Sequence, residues 1–150
     1  MIASGRWGIG IYQIIHQAGV SSLLITGLYI TWLTISGILI TNLWEVKSTV
    51  KRILIISPFV ISFNLILPLI FISDADAYGF SILLSVIAAY LVLKGKNIQS
   101  FIISIIALTF SISIYQTFIA FFFITIITSL IICSTLSIVN SASSNAINSR

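Results

Sequence analysis

Two aspartates, Asp74 and Asp76, stand two residues apart at the start of an apolar run, and the only other acidic residue in the chain is Glu45. Carboxylate oxygens in this arrangement suit a polar ligand or a hard divalent cation. The same pair also suits a solvated turn in which Asp74 caps the following helix. Arg6, in Gly5-Arg6-Trp7-Gly8, offers a guanidinium whose fork matches phosphate or carboxylate oxygens. Its plainer role is that of an interfacial cation that snorkels to headgroups. Tyr115 and Gln116 interrupt a long apolar stretch, either as ligand contacts or as turn residues that satisfy backbone groups. His16 reads as an interface residue rather than a base, and Asn64 as a hydrogen bond between helices. Tyr29, Trp32 and Tyr90 read as packing or belt aromatics.

The elements that position these residues follow from hydropathy. With 59% hydrophobic residues, 7% charged residues and a mean hydropathy of +1.20, the chain carries more apolar surface than a soluble fold can hide, since soluble domains average about 25% charged. A bilayer crossing needs about 20 apolar residues. Such runs are expected at about 20–42, 53–72, 78–93, 98–114 and 118–139. The third is short and calls for bilayer thinning or help from Tyr78 and Lys94. The last two come from one run, 98–139, folded at its least apolar point, Ser113 to Thr117. Pro58 and Pro68 predict kinks in the second. Residues 6–18 are too few and too polar to cross and read as a short interfacial amphipathic helix. The tail, 140–150, is small and polar and reads as disordered. The fold class is all-α, a polytopic transmembrane bundle of about five spans.

Charge orients the bundle. Placing the N-terminus outside puts Lys47, Lys51, Arg52, Lys94, Lys96 and Arg150 on the cytoplasmic side and only Arg6 outside, as the bias of short inner loops toward Lys and Arg requires. The outer face then collects Arg6, Trp7, His16, Asp74, Asp76, Tyr78, Tyr115 and Gln116. The net charge of +4 is spread too thinly for a nucleic-acid surface. The single cysteine, Cys133, excludes an intramolecular disulfide and a cysteine-based metal site.

Three strings, Gly5-Arg6-Trp7-Gly8, Asp74-Ala75-Asp76-Ala77-Tyr78 and Ser113-Ile114-Tyr115-Gln116, resemble in order and spacing the type II O-antigen glucosyltransferase (Gtr) family of bacterial membrane proteins. The resemblance covers about residues 3–135. It implies a GT-C-like membrane domain in the bacterial inner membrane. Such a domain passes a sugar, here a glucosyl unit, from a polyprenyl-phosphate carrier to a cell-surface glycan on the extracytoplasmic side. By this resemblance Arg6 meets the donor phosphate, and Asp76 with Asp74 holds sugar hydroxyls or a divalent cation. Tyr115 and Gln116 hydrogen-bond the sugar or its phosphate, and Trp7 and Tyr78 complete the substrate-binding set. The chemistry implied is displacement at an anomeric carbon assisted by a carboxylate base. The resemblance also implies a partial copy, without the family's N- and C-terminal parts and without its base.

A non-enzymatic alternative, a lipid-carrier flippase or transporter subunit, would carry polar residues along the bundle interior. The expected spans hold no charged residue, and mid-span only Asn64 and scattered hydroxyls, which argues against ion-coupled transport.

Overall fold

The computed structural model describes the backbone of residues 7–16, 21–70 and 75–148, and the side chains of 7–12, 21–61, 75–135, 137 and 138. Six helices follow one another: α1 (Trp7–His16), α2 (Ser22–Leu43), α3 (Thr49–Ile70), α4 (Ala75–Lys94), α5 (Ile98–Ile114) and α6 (Ile119–Asn148). A single 3-10 turn, Gln116–Phe118, joins the last two. No strand occurs among the described residues. By length and composition α2, α4 and the segment Gln116–Thr135 can each cross a bilayer. With 17 residues, α5 reaches the lower limit for a crossing. Twenty-two residues of α3 give it the length, but the side chains of its second half, Asn64 included, lie outside the described ones.

α4 is the axis of the bundle, with α2 and α5 packed most extensively on it and α6 also against it. Its sequence explains the position. Ala75, Ala77, Gly79, Ser81, Ser85, Ala88 and Ala89 are all buried, and small side chains let neighbouring helices approach closely where lipid offers no hydrophobic drive. A Cβ on Gly79 would come within 2.8 Å of the Tyr29 ring and 3.3 Å of Trp32 Cβ. On α5, Ser104, Ala107 and Ser111 face inward, while Phe101, Ile102, Ile103, Ile105 and Ile106 stay exposed. Along most of α5 the small and hydroxylated residues therefore face the bundle and the large apolar ones face outward, with Ile114 at its end buried.

Hydroxyls stitch α4 to α5. Ser81 Oγ donates to the Ser111 carbonyl at 3.0 Å, Ser111 Oγ to the Ser81 carbonyl at 2.9 Å, and Ser104 Oγ to the Ala88 carbonyl at 2.9 Å. Ser85 Oγ lies 2.7 Å from Ser111 Oγ and 3.1 Å from the Phe118 carbonyl, so α4 also holds the α5–α6 turn. Away from these contacts, Thr31, Thr34, Ser36, Thr109, Thr125 and Ser129 donate to the carbonyl four residues back. A hydroxyl thus needs no water inside a bilayer.

At the far end of the bundle α2 closes with a reciprocal cap. Glu45 N–H donates to the Asn42 carbonyl and Val46 N–H to the Thr41 carbonyl, with Glu45 in the left-handed region at φ 54°. This is the helix stop that glycine usually serves. Lys94 Nζ meets Glu45 Oε1 at 2.8 Å. The hydrogen bond and charge of Lys94 hold the Glu45 carboxyl below its ordinary range. Trp44 Nε1 donates to Ser129 Oγ at 3.1 Å and ties α2 to α6.

Three expectations are corrected. The third span is not short: α4 begins at Ala75 and has 20 residues, because the first turn takes in the Asp76 segment instead of leaving it as a loop. The Asp76 segment is not a solvated turn, since Asp76 is only 4% exposed. The tail is not disordered: α6 continues to Asn148, and between Ile119 and Asn148 there is no Gly or Pro to stop it. The α5–α6 break falls at Tyr115–Phe118, where α5 ends at Ile114.

Substituting Gly79→Leu should destabilise the bundle by about 1–3 kcal/mol through overpacking. Gly27→Leu, with nothing within 4 Å of its Cβ, should change stability little. Unfolding by SDS titration in mixed micelles compares the two, and equal midpoints would mean that α2 and α4 do not meet at Gly79.

Candidate substrate site at the Asp76 end of the bundle

Asp76 lies in the first turn of α4, where free backbone N–H groups and the helix dipole favour negative charge. Its Oδ1 accepts the Ala77 N–H at 2.9 Å, and its Oδ2 accepts the Tyr12 hydroxyl at 3.3 Å. Tyr12 comes from α1, which lies over this end of the bundle and packs chiefly on α5. Ile9 and Tyr12, one turn apart, are buried, whereas Trp7 and Ile11 are exposed. The inward face of α1 thus meets protein. A Cβ on Gly8 would collide with Ser113 Oγ, so the close approach of α1 to α5 depends on that glycine.

Two aromatic groups lie at this end of the bundle, of which the first reaches the carboxylate through Tyr12. Phe80 packs against both Tyr12 and Trp32, each with ring centroids 5.5 Å apart. Tyr78, Tyr115 and Phe118 form a second group, with separations of 5.4, 5.9 and 5.5 Å. Beyond them Trp7 meets Phe110 edge-on at 5.9 Å. An open cleft of about 220 Å³ lies there, lined by Trp7, Thr109, Ile112, Ser113 and Gln116.

Burial is the main cause that pushes the Tyr12 phenol up to about 12, with the Asp76 charge second. The Trp32 indole lies near enough to favour the ionised phenol, which works the other way. Its Nε1–H is buried and makes no hydrogen bond among the described residues, a state that costs roughly 1–3 kcal/mol.

Trp7 and Gln116 therefore share a cleft, Tyr78 and Tyr115 share an edge contact, and Asp76 sits apart from the cleft beneath Tyr12. Arg6, Asp74 and the side chain of His16 lie outside the described residues. Tyr12, Trp32 and Phe80 were not legible as site residues. Tyr12 alone carried a signal, as the one phenol on an amphipathic segment. Among the described residues no three His, Cys, Asp or Glu side chains converge. Asp76 alone, with both oxygens engaged, is a poor donor set for a cation that wants six or more oxygens.

A family model described as glucosyl transferase GtrII matches residues 1–147. The chain belongs to that family. No curated protein and no solved structure matches it. Membership of the GtrII family, together with helices able to cross a bilayer, makes this a membrane protein of the glucosyltransferase class. Carboxylates, aromatic edges and side-chain amides are groups able to hydrogen-bond to and stack on a polar ring.

The phenol shift gives a pH prediction. An unfolded tyrosine ionises near 10, and folded Tyr12 keeps its proton to about 12. The stability tied to protonated Tyr12 is thus intact below 10 and is lost as the pH rises through 12. In absorbance titrations at 295 nm, the difference between the native protein and Tyr12→Phe should rise near 12. A difference rising near 10 would mean an exposed phenol.

Proposed function

We propose that this GtrII protein transfers a glucosyl unit from a polyprenyl-phosphate carrier to an O-antigen or similar surface glycan on the extracytoplasmic side of the bacterial inner membrane. The observation that carries the proposal is the Asp76 carboxylate, buried beneath Tyr12 at the end of the bundle that also bears Trp7, Tyr78, Tyr115 and Gln116. Glucosyl hydroxyls donate to carboxylates, and the C–H faces of a pyranose pack on aromatic rings. The orientation, N-terminus outside and C-terminus inside, is supported by the cations in and next to the α2–α3 and α4–α5 loops, Lys47, Lys51, Arg52, Lys94 and Lys96.

In this reading Arg6 pairs with the donor phosphate. Asp76 holds sugar hydroxyls, and Gln116 and Tyr115 contact the sugar or its phosphate. The acceptor hydroxyl attacks the anomeric carbon as the carbon–oxygen bond to phosphate breaks. Polyprenyl phosphate leaves with that electron pair, and the acceptor's proton passes to a base that we assign to no residue of this chain. A divalent cation at Asp74 and Asp76 is a secondary part of the proposal, and no step is routed through it.

The test is glycan glucosylation in cells producing the protein, with membrane insertion checked by immunoblot. Asp76→Asn and Arg6→Ala should each lower transfer by about tenfold or more, the scale of one charge-assisted contact, while insertion is unchanged. Full transfer in both variants would end the reading. Transfer that survives EDTA in isolated membranes would remove the cation alone. Sidedness has its own check. With Cys133→Ser as background, Lys96→Cys should resist a membrane-impermeant maleimide in intact spheroplasts and react after lysis. Labelling in intact spheroplasts would reverse the orientation.

A further inference from the structure

Tyr12, Trp32, Phe80 and Asp76 come from three helices and form one group, of which only Asp76 belongs to the substrate set above. The contact from Tyr12 to Asp76 is long, 3.3 Å, where hydroxyl donors to oxygen usually lie at about 2.7–2.8 Å. The helix that delivers it has ten residues and packs chiefly on α5. Beneath the phenol the Trp32 Nε1–H is buried and close to the Tyr12 oxygen but makes no well-formed hydrogen bond among the described residues. Buried donors are almost always paired, and an exception calls for an explanation.

Without the Tyr12 ring, the group consists of an aromatic wall (Phe80 with the Trp32 indole), an N–H donor and a carboxylate acceptor. That inventory suits a pyranose, which offers C–H faces to rings, hydroxyl donors to a carboxylate and hydroxyl acceptors to an N–H. Tyr12 fills the place with a six-membered ring and one hydroxyl. We propose that α1 is a removable cover, that Tyr12 stands in for one sugar hydroxyl at Asp76, and that the subsite beneath takes a hexopyranosyl unit. The proposal rests on the glucosyltransferase reading and deepens it. When α1 withdraws, a sugar hydroxyl replaces the phenol on Oδ2, a sugar oxygen accepts from Trp32, and the Ala77 N–H stays on Oδ1. With no sugar bound, Tyr12 is one donor to the buried carboxylate.

The experiment reads the rate at which dicyclohexylcarbodiimide modifies Asp76 in the full chain in lipid vesicles, by peptide mass spectrometry. Tyr12→Phe should react about fivefold faster than the native protein, the change expected for one lost hydrogen bond. Gly8→Ala, which pushes α1 off Ser113 but keeps Tyr12, should also react faster and serves if Tyr12→Phe does not insert. Polyprenyl-phosphate glucose should slow Tyr12→Phe back toward the native rate, polyprenyl phosphate without sugar should not, and adding Trp32→Phe should abolish the protection. Equal rates in the native protein and both single variants would overturn the cover. Protection equal with and without the sugar, or unaffected by Trp32→Phe, would overturn the subsite. None of these rates needs turnover. Normal transfer with equal rates sinks the cover and leaves the transferase, while sugar-dependent protection without transfer does the reverse.

Discussion

Inside a bilayer there is no water to satisfy a polar group, so each hydroxyl, amide and carboxylate on a spanning helix must find its partner within the protein. α4 meets this constraint with small residues and hydroxyls on all sides. Ser81, Ser85, Ser104 and Ser111 exchange bonds with carbonyls across the α4–α5 seam. Such bonds hold only if the backbones come close, and Gly79 and the alanines of α4 allow that on the α2 side. Were α4 bulkier, α2 and α5 would stand off, the serines would lose their carbonyls, and the turn that carries Tyr115 and Gln116 would lose its anchor at Phe118.

The same helix ends in the site. Asp76 can be buried at the head of α4 because the first turn supplies N–H groups and α1 supplies a hydroxyl. A carboxylate in that place would be costly in lipid without these partners. Tyr12 covers the carboxylate and packs on Phe80, which also meets Trp32, while Tyr78, Tyr115 and Phe118 form a separate group of rings at this end of the bundle.

The opposite end is built differently. Glu45 holds a left-handed backbone after α2, and its carboxylate reaches Lys94 across two loops. Both side chains are largely exposed, so the pair adds little to stability and serves mainly to bring the loops together. Trp44 adds a second tie, to α6. The cations that bias orientation lie on these loops, at the end remote from Asp76, so one end carries the topological charge and the other the groups able to hold a ligand.

Much of this was legible in the residues themselves. Bilayer thickness turns each apolar run of about 20 residues into a helix, and α2, α5 and the break at Tyr115–Gln116 follow from hydropathy and length alone. The membrane class follows from a charge content too low for a water-facing surface. The helical tail was not legible, because its polarity argued for disorder while its lack of Gly and Pro let the helix run on to Asn148. Nor was the role of Tyr12 or Trp32. Tyr12 meets a carboxylate 64 positions away, and Trp32 looked like any belt aromatic until its N–H proved to be buried and unpaired. Local composition determines which segments are helices and which solvent they face, since those depend on runs of neighbouring residues. Which side chains meet at Asp76 depends on how closely α1, α2 and α5 approach α4, and that is decided only when the packed helices bring distant residues within hydrogen-bonding reach.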